Sequence, residues 1–150
     1  MKFLSASCLL LLSAGVFAAD STAPASPHGA SGKMVISPVD LGNIKVAKAV
    51  GTNARTVEEL VTQRTELKDK PVLVRGKVVK FNPEIMGKNW VHLRDGSGTA
   101  TDGSNDILVT TMAATKVGDV VTVEGTVRTD KDFGAGYSYR VLIEDATLKP

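Results

Sequence analysis

A chain of 150 residues with 18 Lys and Arg against 16 Asp and Glu carries a formal charge of +2 at neutral pH. That balance excludes a strongly basic nucleic-acid binder, so any electrostatic footprint has to be a local patch. The one cysteine, Cys8, lies in an apolar N-terminal run, and a mature chain lacking it has no disulfide, thiolate metal site, covalent c-type haem attachment or cysteine nucleophile.

In chain order, Met1 and Lys2 precede the apolar run FLSASCLLLLSAGVF, which ends in small residues at Ala18 and Ala19. This layout predicts a secretory signal peptide over 1–18. The run is shorter than the roughly 20 residues of a spanning helix, so no membrane span is expected after cleavage. Lys2 is the one charge lost with the leader, which brings the mature chain to near +1. Residues 19–35, containing DSTAPASPHGASGK, are rich in Ser, Ala, Pro and Gly and predict a flexible linker that cannot bury a core. His28 and Met34 are metal-ligating residue types, but two such ligands fall short of the three or four that a metal site normally shows.

Residues 36–150 have the size of one domain. Gly42 to Val50 alternates weakly and predicts an N-terminal strand. Thr56 with Glu59 forms a capping box, and Val57, Leu60, Val61 and Leu67 recur at helical spacing, which predicts a helix from Thr56 to Leu67. Lys68 to Pro71 stops it. Five β-rich segments follow: Val72 to Phe81, Asn89 to Asp95, Asp106 to Met112, Val120 to Thr129 and Tyr137 to Leu148. Gly76 and Gly125 interrupt the first and fourth, and bulges or sharp bends are expected there. The fold class is all-β with one accessory helix, a five-stranded Greek-key OB-fold barrel. An immunoglobulin-like sandwich would want about seven strands.

The stretch WVHLRDGSG, Trp90 to Gly98, resembles the second strand and turn of the OB-folds that bind tRNA anticodons in some aminoacyl-tRNA synthetases. The wider region, Thr56 to Ala146, resembles a family of exported bacterial OB-fold proteins that carry nucleotide-binding or DNA-binding labels. Some members accompany periplasmic respiratory enzymes. The resemblance implies the OB fold. A chain this short has no synthetase catalytic domain, and the leader would take it away from tRNA.

In OB-folds the usual binding surface is the outer face of the second and third strands, flanked by the first and last inter-strand loops. Here those loops are expected at Asn82 to Lys88 and Asp130 to Gly136. With Val91 and Leu93 pointing inward, Trp90, His92 and Arg94 take the outer face. Met86 and Lys88 lie by the first loop, and Lys131, Phe133, Tyr137 and Tyr139 by the last. Rings and guanidinium groups of this kind stack on flat ligands, and Lys adds charge. The competing reading makes Trp90 a packing residue beneath a loop or the helix. Asp95, Asp102, Asn105 and Asp106 offer oxygen ligands, but their spacing is not that of an EF-hand, and a solvated hairpin connection is expected instead.

No nucleophile elbow, phosphate loop or HExxH is present, and His92 is the one histidine of the domain. The expectation is therefore a non-enzymatic, periplasmic or secreted binding protein without a cofactor. Its partner would be a protein, a peptide or an envelope glycan on the second- and third-strand face. One alternative is a single-stranded nucleic-acid or nucleotide module. The other is a metal or haem accessory protein for periplasmic respiratory enzymes, drawing on His28, Met34, Met86 or His92.

Overall fold

The computed structural model describes residues 41–150, so the expected leader and linker, with His28 and Met34, lie outside the described residues. The order of elements is α1 (Val57–Thr62), α2 (Arg64–Leu67), β1 (Pro71–Ile85), β2 (Lys88–Arg94), β3 (Ile107–Thr111), β4 (Val120–Asp132) and β5 (Ser138–Lys149). The five strands form one sheet closed on itself in the order β1-β2-β3-β5-β4, with β4 returning to β1. Strands β3 and β5 run parallel and the other neighbours antiparallel.

Period-2 alternation builds the interior. Val72, Val74 and Val78 of β1, Val91 and Leu93 of β2, Ile107 and Val109 of β3, Val121, Val123 and Val127 of β4 and Ile143 of β5 form one buried cluster. Val57 and Leu60 of α1 and Leu67 of α2 pack into the same cluster, which is why this stripe is apolar.

The expected single helix is two short ones that meet at Gln63. The Thr62 hydroxyl donates to Glu58 O at 2.8 Å, a bond to the preceding turn that bends helices. The capping box of Thr56 and Glu59 is formed. The expected strand at Gly42 to Val50 is absent: the segment makes no ladder. Its Val46 N–H reaches Asp95 O at 2.8 Å, where β2 is already turning away, so pairing cannot propagate.

The two glycines behave differently. At Gly125 the β4–β5 register shifts between Glu124 and Thr126, as expected, although the extra residue sits on the partner strand. There Asp145 takes φ +53°, and the β3–β5 ladder shifts at the same place. At Gly76 the β1–β4 register runs unbroken from Pro71 to Lys77, so the expected bulge is not there. It lies further on, between Val78 and Lys80, where β1 pairs with β2. Gly76 serves close approach instead, because a Cβ there would stand 3.1 Å from Arg94 O and 3.3 Å from Leu93 Cβ.

The first expected loop is mostly strand, and the second begins as strand. β1 continues to Ile85 and turns on Met86 and Gly87, both at positive φ, as a two-residue hairpin turn requires. β4 continues to Asp132, and Phe133 N–H donates to Tyr137 O at 2.9 Å to close the turn.

Candidate functional site

Three constellations occupy β2 and its ends. The first is aromatic. Val91 and Leu93 face inward and Trp90 faces outward, as the alternation predicts, yet Trp90 is only 3% exposed. The hairpin of β4 and β5 folds across it. Phe133 meets its ring edge-on at 5.1 Å and Tyr137 at 5.8 Å, and Tyr139 lies tilted against it at 5.5 Å. Leu108, Leu142 and Ile85 complete this second, smaller core, and the indole N–H donates to Ile85 O at 2.8 Å. Trp90 is thus packed beneath a turn, and Phe133 is half-buried on it rather than a free loop tip. Burial, then the neighbouring Tyr137, pushes the Tyr139 hydroxyl above its usual range.

The exposed member of this cluster is Tyr137, at 38%, while Met86, at 51%, stands on the β1–β2 turn. Its cations are already paired. Lys131 bonds Glu144 at 3.2 Å and lies 5.5 Å from the Phe133 ring centre, and Lys88 pairs with Asp145. Met112, which the sequence reading did not single out, is exposed and shares a shallow cleft with Gly87, Lys88 and Asn89.

The second constellation is polar and begins two residues further along β2. His92 Nδ1 lies 2.6 Å from Asp106 Oδ1, and Arg94 Nε donates to Asp106 Oδ2 at 3.0 Å. Burial works to raise the Asp106 carboxyl, but the His92 and Arg94 hydrogen bonds and charges outweigh it and hold the group below its usual range. An ionised Asp106 is an acceptor only, so Nδ1 carries the proton between them and Nε2 sits on the far edge of the ring. Lys80 pairs with His92 across the strands. With Val79 and Leu41 these residues line an open groove of about 450 Å³. Asp106 and Lys80 were missed as site residues. Extending the β2–β3 register by one step from Leu93 opposite Ile107 would have placed Asp106 opposite Arg94.

At a rise of ~3.3 Å per residue, Trp90 and Arg94 are ~13 Å apart along the strand. The nine residues named from sequence therefore divide. Trp90, Phe133, Tyr137 and Tyr139 converge, with Lys131 beside Phe133, while His92 and Arg94 gather on Asp106. Met86 and Lys88 stay at the β1–β2 turn.

The third constellation is DGSG, the end of the motif behind the family resemblance, and it is architectural. Asp95 is 5% exposed, so the connection is not simply solvated. Its Oδ2 accepts the Val57 N–H at 2.9 Å, and its Oδ1 accepts the Ser97 N–H and hydroxyl. Ser97 Oγ in turn accepts the Glu58 N–H at 3.0 Å, and Thr56 Oγ1 accepts the Glu59 N–H at 3.1 Å. The free amides of the first turn of α1 are thus met by three side chains, two of them from the β2–β3 connection. Gly96 and Gly98 both have positive φ, and a Cβ at either would strike backbone, Ile44 O at 2.2 Å and Ser104 O at 2.4 Å. Asp102 is used locally too. Hydrogen bonds from the Ser104 hydroxyl and amide and from Thr99 lower its carboxyl to about 2.

Among the described residues, no group of three or more His, Cys, Asp or Glu is placed to hold a metal ion, and no helix is long and apolar enough to cross a membrane. No protein-family model, no curated protein and no solved structure matches the chain.

Proposed function

We propose that residues 41–150 form an exported, non-enzymatic OB-type binding domain whose partner is a protein or peptide seated at the aromatic end of the β2–β3 face. The strand order β1-β2-β3-β5-β4 with a single parallel pair supports the Greek-key OB reading, since that fold is a five-stranded, partly open Greek-key barrel with this face between its two loops. The leader-like start of the chain supports export to the periplasm.

The observation that carries the choice of partner is the state of the rings and cations. Single-stranded nucleic acids bind to splayed aromatic platforms in a cationic groove. Here Trp90 is covered, Phe133 and Tyr139 lie against it, and Lys88 and Lys131 are held by Asp145 and Glu144. What is exposed is Tyr137 on the cluster, with Met86 on the β1–β2 turn and Met112 just after β3, apolar bodies that suit a protein partner.

The test uses the purified chain as bait in periplasmic extract, beside a fluorescent oligothymidine titration. A partner retained by the wild type and lost with Tyr137→Ala, at an unchanged melting temperature, supports the reading. Tight oligothymidine binding that weakens steeply with salt would put the nucleic-acid alternative in its place.

A further inference from the structure

We propose that the groove lined by Lys80, His92 and Arg94 is a carboxylate-binding subsite, which receives an acidic side chain or a chain terminus of the partner. The proposal deepens the reading above and rests on it for the identity of the partner, though not for the chemistry of the groove.

The cations here differ from those at the aromatic end. Lys80 is exposed and has no hydrogen bond or ion pair among the described residues. Arg94 spends only Nε on Asp106, so its two terminal nitrogens keep their donors. The guanidinium is pinned by that bond and its side chain is still 43% exposed, which presents the outer N–H groups in fixed directions. Asp106 also fixes the imidazole by its Nδ1 edge, leaving Nε2 at the opposite edge of a ring that lines the groove.

The charge of the cluster selects the ligand. Of the fixed charges, Lys80 and Arg94 supply two positive ones and Asp106 cancels one. The remaining single positive charge matches a monoanion better than a phosphate dianion. Arg94 provides paired donors of the spacing that a carboxylate accepts, and Lys80 a mobile point charge beside them. Leu41 and Val79 form apolar walls suited to the methylene or backbone next to such a group. At ~13 Å from Trp90, about four residues of an extended peptide would reach from the aromatic rim to the groove.

The experiment is an NMR titration of the full chain, following the His92 ring and Arg94 side-chain signals. The probes are N-acetylglycine for a terminal carboxylate and N-acetylaspartate N-methylamide for a side-chain one, with sodium chloride at matched ionic strength and inorganic phosphate as comparisons. Saturable shifts with one or both carboxylates are expected, and the stronger of the two identifies the source. Lys80→Ala, which removes a solvent-exposed side chain with no partner among the described residues, should weaken binding about tenfold. Tyr137→Ala should leave the titration unchanged, so loss of the aromatic-end reading and loss of this one are seen separately. Shifts reproduced by chloride, an unaffected Lys80→Ala, or phosphate binding tenfold tighter than either carboxylate would overturn the proposal.

Discussion

Replacing Asp95 tests whether the β2–β3 corner is a helix cap rather than a ligand site. In Asp95→Ala the Val57 N–H loses its acceptor at a residue that is fully buried. A buried donor left unsatisfied costs ~1–3 kcal/mol, and the lost carboxylate at the start of α1 adds ~0.3–1 kcal/mol. The Ser97 hydroxyl also loses the partner that orients it toward Glu58. A total near 3 kcal/mol follows, which for a domain of this size is a drop of ~12 °C in Tm. Asp95→Asn keeps one oxygen for Val57 but turns an NH2 toward the Ser97 donors, so about half the loss is expected. Ser97→Ala, which strands only the exposed Glu58 amide, should cost 1 kcal/mol or less, about 4 °C. Thermal melts followed by far-UV circular dichroism, with urea titrations for the slope, measure all three. A fall below ~3 °C for Asp95→Ala, or an equal fall for Asp95→Asn, would refute the capping argument.

Gly125→Ala would push a Cβ to 2.5 Å from Ile143 Cγ2 and 3.0 Å from Ala146 Cβ, so a loss of ~2 kcal/mol is expected in urea unfolding. Trp90→Ala should cost ~3–5 kcal/mol as a buried large aromatic, and Phe133→Ala ~1–2 kcal/mol as a half-buried one resting on it. A Phe133→Ala protein with wild-type stability would mean that the ring does not pack on Trp90 in solution. Asp106 has a folded-state value below its unfolded one, so its contribution is present above the unfolded value near 4 and is lost as pH falls through the folded one. The Tm advantage of the wild type over Asp106→Asn should therefore be full at pH 6 and shrink below about pH 4; an advantage constant down to pH 2 would contradict the His92 and Arg94 pairing.

The strands were legible because each carries its own period. Val91 and Leu93 alternate with Trp90, His92 and Arg94, and one face must be buried, so register follows from the residues themselves. The helix was legible in its cap and its stripe but not in its break, because a Thr62 hydroxyl reaching back to Glu58 is one of several options a threonine has. The strand expected at Gly42 to Val50 failed for a nonlocal reason: alternation needs an edge to pair with, and the nearest one turns away at Asp95. Gly76 marked a real constraint, but the approach of Arg94 and Leu93 decides which constraint, and those residues are nearly twenty positions away.

The division of the outer face into two ends was the least legible feature. Seen in sequence, Trp90, His92 and Arg94 are equivalent members of one alternation. What separates them is what the closed sheet brings to each. The β4–β5 hairpin, extended by strand pairing through Lys131–Tyr139 and Asp132–Ser138, carries Phe133 and Tyr137 onto Trp90. Asp106, the residue just before β3, carries a carboxylate to His92 and Arg94. Apolar cover arrives at one end and charge at the other. The same seven-residue strand thus presents a packed aromatic platform with its cations neutralised, and ~13 Å away a pinned guanidinium beside a lysine with no partner among the described residues. A partner that engages both ends must itself carry an apolar residue and an acidic one at that separation, which is a stricter requirement than either end imposes alone.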